Sequence, residues 1–113
     1  MRKIGKINIL GRQVPVLATS HMPDGAENFW AYYDIMNRII VINDTLDLPK
    51  HIKVEILYHE ICHATMDRLG FNATSMDDDT HEMICEAFRN LIADHFELKD
   101  KALIRKLLKD KTR

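Results

Sequence analysis

His59 and His63 stand four residues apart in the run His59-Glu60-Ile61-Cys62-His63, with a glutamate directly after the first. On a helix both imidazoles leave one face and can reach a single ion about 2 Å from each nitrogen, the distance at which histidine binds zinc. Glu60 then projects from the neighbouring face. A carboxylate so placed stands beside an ion instead of competing for it, and can take a proton from water that the ion acidifies. With six His and six Glu in 113 residues, chance would give this pattern in roughly one or two such chains per hundred, so the run carries information.

Catalytic zinc sites usually take three protein ligands, and the third must come from elsewhere in the chain. Met66 and Leu69 occupy the positions where an extended HExxHxxGxxH pattern needs a glycine and a third histidine. The candidates on the following helix are Glu82, Glu86 and His81. Glu82 is preferred, because it lies at the margin of the arc formed by Cys85, Phe88, Ile92 and Phe96, whereas Glu86 turns further away and reads as a solvated residue. Simpler readings compete with these. The histidines could be core imidazoles bonded to polar neighbours, Glu82 a carboxylate placed for the helix dipole, and Cys62 and Cys85 small buried apolar groups.

The elements that must position these residues follow from periodicity and punctuation. Lys3 to Leu10 and Gln13 to Thr19, with a turn at Gly11-Arg12, predict a hairpin, whose Pro15 suits a sheet edge. A turn-rich stretch over 20–28 predicts a loop. Phe29 to Asp34 and Arg38 to Asn43 predict two further strands around a Met36-Asn37 turn, with the aromatic cluster in the sheet core. Together these make a small antiparallel sheet of three or four strands. Pro49 suits the first turn of a helix running from about residue 50 to Leu69, which Gly70 ends in the left-handed conformation. Val54, Leu57, Tyr58, Ile61 and Thr65 form one mostly apolar face of it. Ile52, Ile56, His59, His63 and Met66 form a second stripe almost opposite, so this helix belongs between the sheet and other helices. The acidic run Asp77-Asp78-Asp79 predicts the cap of a second helix, roughly His81 to Leu98, and Asp100 that of a third carrying Leu103, Ile104, Leu107 and Leu108. The fold class is α+β, in one domain over residues 1–113.

Composition excludes other classes. The chain is 46% hydrophobic and 29% charged, near the average for globular proteins. Sixteen basic against 17 acidic residues give no general attraction to nucleic acid or anionic lipid, so neither is expected as a partner. Two cysteines inside helical segments, no apolar run of signal-peptide length and no membrane-spanning stretch predict a cytoplasmic protein.

Taken with Glu82-Met83-Ile84-Cys85-Glu86-Ala87-Phe88, the first motif resembles that of the ImmA/IrrE-type zinc metallopeptidases, including small phage-encoded proteins of similar length. That family joins a short β-sheet, an HExxH helix and a following helix whose Glu-x-x-Ala-Asn/Asp-x-Phe-Ala segment gives the third ligand. Here the first motif is complete, and Glu82 and Phe88 match the second. Cys85 replaces its first alanine, Glu86 its Asn/Asp, and Arg89 its last alanine. The resemblance implies a minimal gluzincin-like fold, Zn2+ held by His59, His63 and Glu82, and peptide-bond hydrolysis with Glu60 as general base. The substrate would be a cytoplasmic protein or peptide, such as a repressor. An oxyanion donor is also needed, and His21, Tyr32, Tyr33, His81 and His95 are all open for it. The alternative is a non-catalytic zinc module that acts by contact, for example as an antirepressor. A purely structural site has no use for Glu60, which favours the enzyme.

Overall fold

Ile7, Ile9, Val14, Val16 and Ala18 alternate with more exposed residues and are all buried, as expected where two strands lay one face on a core. The computed structural model describes residues 1–71 and 76–109. Strands β1 (Arg2–Ile9), β2 (Arg12–Thr19), β3 (Ala31–Asp34) and β4 (Ile39–Asn43) precede helices α1 (Lys50–Arg68), α2 (Asp78–His95) and α3 (Lys101–Lys109). The β1–β2 turn falls on Leu10 and Gly11, one residue earlier than the spacing suggests, with φ 51 and 88. Two left-handed residues match the twist of a tight hairpin, and Asn8 Oδ1 accepts the Gly11 N–H at 2.9 Å. The pairing slips between Lys3 and Gly5, and this bulge lets Ile4 join Ile7 and Ile9 in the core despite its odd spacing. A Cβ on Gly5 would stand 2.9 Å from Leu103 Cδ1, so a larger residue there would turn that side chain aside where α3 lies over β1.

The fold is α+β, but the sheet is mixed and not the antiparallel one expected. Its order is β1-β2-β4-β3, with β2 and β4 parallel. The segment 20–30 carries the chain past one strand position at the end of β2. The β3–β4 hairpin, turned by Asp34, whose Oδ1 accepts from the N–H groups of Met36 and Asn37, then places β4 in the gap. Strand β2 is therefore internal, contrary to the edge position expected from Pro15. Its pairing with β4 begins at Val16, so the proline's missing N–H lies outside that ladder. Strand β3 begins two residues later than expected, after a turn in which Phe29 N–H donates to Ala26 O. Phe29 and Trp30 are consequently half-exposed and not sheet core.

Helix α1 is buried on two sides. Leu57, Ile61 and Ala64 join the sheet residues in one core, whereas Cys62 and Met66 meet Cys85 of α2 in another. Its end follows the Schellman pattern: Phe71 N–H donates to Met66 O, Gly70 N–H to Asp67 O, and Gly70 takes φ 88. Helix α2 starts three residues before the predicted His81, because Asp77 caps it by accepting the Thr80 N–H at 2.8 Å. It stops at His95, where Phe96 turns extended. Helix α3 buries Leu103 and Leu107 against the sheet core. Among the described residues no helix is long and apolar enough to cross a membrane.

Leu57, fully buried between α1 and the sheet, is expected to cost about 2–5 kcal/mol when replaced by alanine. Urea unfolding of the full chain measures this. A loss below about 1 kcal/mol would contradict the packing of α1 on the sheet.

Candidate metal centre

The helical spacing brings His59 and His63 to one side of α1, and Glu82 reaches them from the second turn of α2. His59 Nε2 lies 3.1 Å from His63 Nε2 and 3.1 Å from Glu82 Oε1, and His63 Nε2 lies 3.1 Å from Glu82 Oε2. Two ligands about 2.05 Å from a tetrahedral zinc stand about 3.3 Å apart, so the imidazole pair has the separation such an ion needs, and the Glu82 carboxylate spans the pair with one oxygen beside each ring. The donor chemistry fits as well. Burial, with smaller contributions from His59 and His81, holds the His63 pKa down to about 4 against the opposing pull of Glu82. Its ring is therefore neutral at physiological pH and keeps a lone pair for a metal. The residues His59, His63 and Glu82 can together hold a metal ion.

Glu86, read from sequence as solvated, keeps a half-exposed side chain and also borders this assembly. Its Oε2 lies 3.0 Å from His59 Nδ1, but off the ring's N–H axis, so the buried Nδ1 makes no hydrogen bond. A small swing of the carboxylate would complete one and fix the ring with Nε2 facing the centre. Arg89 steadies Glu86, donating to its Oε1 at 2.8 Å and to Glu55 Oε1 of α1 at 2.9 Å. The spacing shows only which residues share a face, Glu55 with His59 on α1 and Glu82 with Glu86 and Arg89 on α2; that these faces meet is decided by the docking of the helices.

Glu60 is 7% exposed, yet it opens onto the cleft. Burial, and then the charge of Glu82, push its pKa up to about 8. A cation held by the three ligands acts in the opposite direction and favours the ionised carboxylate. The cleft, of ≈ 440 Å³, runs from Phe29 and Tyr32 past His59, Glu60 and His63 to Phe71 and His81. A second hollow of ≈ 250 Å³ shares Phe29, Ala31, His59 and Glu60 and continues to Arg89. The two form a groove beside β3, whose outer side pairs with no strand among the described residues. Of the five candidate oxyanion donors, Tyr32, Tyr33 and His81 line the cleft and His21 and His95 do not. The Tyr33 hydroxyl donates to Asp67 Oδ2 at 2.7 Å. That bond, which ties β3 to α1, went unread because it joins residues 34 apart in the sequence. Cys62 and Cys85 are buried, as expected, and the neighbouring Cys62 together with burial pushes the Cys85 thiol up.

These shifts predict a pH dependence for the chain kept metal-free with chelator. Glu60, at about 8 when folded against an ordinary 4.5, holds its proton where the unfolded carboxyl is ionised. The stability present below pH 4.5 is therefore lost as pH rises through about 8. His63 acts oppositely: stability is lost as pH falls from 6.5 to about 4. The two offset each other up to pH 6.5, and above it Glu60 acts alone. Stability should fall by about 2 kcal/mol between pH 6.5 and 8, and Glu60→Gln should flatten that slope. Thermal unfolding in chelator at several pH values measures it, and an unchanged slope in the variant would rule out Glu60 as its source.

Compared with protein-family models, curated proteins and solved structures, the chain matches none.

Proposed function

We propose that this chain is a zinc-dependent metallopeptidase, as the resemblance of its two motifs to the ImmA/IrrE-type enzymes implies. The observation that carries the reading is the His59–His63 imidazole pair with an oxygen of the Glu82 carboxylate 3.1 Å from each ring and Glu60 buried beside it at the mouth of a groove. A zinc ion held by those three residues supplies Lewis acidity toward a peptide carbonyl and lowers the pKa of water to about 7.

The chain's own residues do the rest. The free edge of β3 can receive an extended peptide as an added strand, which lays a backbone carbonyl along the groove past His59 and Glu60. Glu60 takes the proton of the attacking water and hands it to the departing amine, so the carboxylate is regenerated in each cycle. Its low exposure keeps bulk water from competing for that proton. Glu86, held by Arg89, stands 3.0 Å behind His59 Nδ1, where a swing of its carboxylate would fix the ring, and the Tyr33–Asp67 bond holds β3 at a fixed distance from α1.

Purified protein should carry about one zinc per chain. His59→Ala and Glu82→Ala should each lose it, as read by elemental analysis. Glu60→Gln should keep the metal while cleavage of a denatured protein or a peptide pool falls by about 10²–10⁴-fold. Zinc bound with no cleavage of any pool by the wild-type chain would leave the contact-making module. Failure to take up zinc would remove both readings.

A further inference from the structure

Helix α2 carries a second pair of donors that the zinc set does not use. His81 and Cys85 are one turn apart and face α1 together. His81 Nδ1 lies 3.9 Å from Cys85 Sγ, and the His81 ring stacks on that of His63 with centroids 4.8 Å apart and 12° between the planes. One donor atom from each of His63, His81 and Cys85 falls within 4.8 Å of the others. His81 Nε2 lies 3.2 Å from the backbone oxygen of Phe71. An oxygen at that position requires the proton on Nε2, which leaves the lone pair on Nδ1, the atom turned toward Cys85. Ligating histidines are commonly fixed in this way by a carbonyl at the far ring nitrogen.

The surroundings are soft. Cys85 is fully buried, the Met66 Sδ lies 3.9 Å from its sulfur, and Cys62 packs in the same cluster. An ion bound tetrahedrally to nitrogen at about 2.1 Å and sulfur at about 2.3 Å sets those two donors about 3.6 Å apart, close to the His81–Cys85 separation. A His63 donor atom lies within 4.8 Å of both. The nitrogen and oxygen set suits zinc, whereas the set with a buried sulfur donor suits a softer ion. His81 and His63 both line the cleft, so the ion has a way in from solvent.

We propose that His63, His81 and Cys85 form a second metal site, selective for a thiophilic cation, which competes with the zinc set for His63. Binding releases the Cys85 proton to solvent, and the ion takes the thiolate. A soft cation that draws His63 into this set leaves the zinc set with two ligands, so occupancy of one site weakens the other. The inference rests on the pairing of α1 with α2 and stands whether or not the chain cleaves peptides.

Cadmium chloride titrated into the full chain carrying His59→Ala and Glu82→Ala tests it, because both substitutions spare the second set. About one cadmium per chain should bind, with an ultraviolet thiolate-to-cadmium charge-transfer band. Adding Cys85→Ser should abolish the band. Adding His81→Ala should weaken binding by more than about tenfold, and Cys62→Ser should leave the band in place. Circular dichroism establishes that each variant is folded. The zinc-loaded wild-type chain gives a second route that truncates no ligand: cadmium should develop the band as zinc is released. A folded double variant without the band, a band that survives Cys85→Ser, or cadmium that replaces zinc with no thiolate signal would each overturn the proposal.

Discussion

The architecture depends on one helix being buried on two opposite sides. An amphipathic helix at a protein surface has one dry face, and any histidines on it titrate in water. Helix α1 instead lays Leu57, Ile61 and Ala64 on the sheet while Cys62 and Met66 pack on α2. The stripe between those faces, His59, His63 and Asp67, is left along a seam that is sheltered but open at one side to the cleft. That position holds His63 neutral and Glu60 protonated in the absence of a cation. Both conditions relax when a positive ion enters. The seam is thus electrostatically incomplete by itself, and a cation held there would recover the stability given up.

Helix α2 matters for the same reason. It contributes little to the main core, and within the described residues only its Cys85 is buried. Its contact with α1 brings Glu82, Glu86 and His81 to the histidines from the second side. An Arg89 bridge between Glu55 and Glu86 fastens the two helices close to the site. A donor set split between two helices makes ligand geometry a direct readout of helix pairing. Anything that moves α2 along α1 by a fraction of a turn exchanges which of its side chains face His63.

The mixed sheet shapes the groove too. Because β4 occupies the slot beside β2, β3 is displaced to the edge, and that edge borders the groove next to His59 and Glu60. An all-antiparallel meander in chain order would have put β4 there instead. The tether from Tyr33 to Asp67 then sets the width of the groove.

Much of this was legible from residues alone, because the signals are local. The i,i+4 histidines, Pro49 and Gly70 around α1, the Asp77 cap and the two-sided apolar pattern of α1 are each decided by backbone geometry within a few residues, and the structure agrees with them closely. Local rules also left errors of one to three residues at element ends, where a single turn or cap decides the boundary. What the sequence could not decide was everything settled by distance in space. The parallel pairing of β4 with β2, the exposure of Phe29 and Trp30, the recruitment of Glu86 to His59, and the approach of His81 and Cys85 to His63 all depend on how separate elements dock. Docking is decided by the fit of whole faces and by the strand slot left open by an eleven-residue excursion over 20–30, neither of which leaves a periodic trace in the chain.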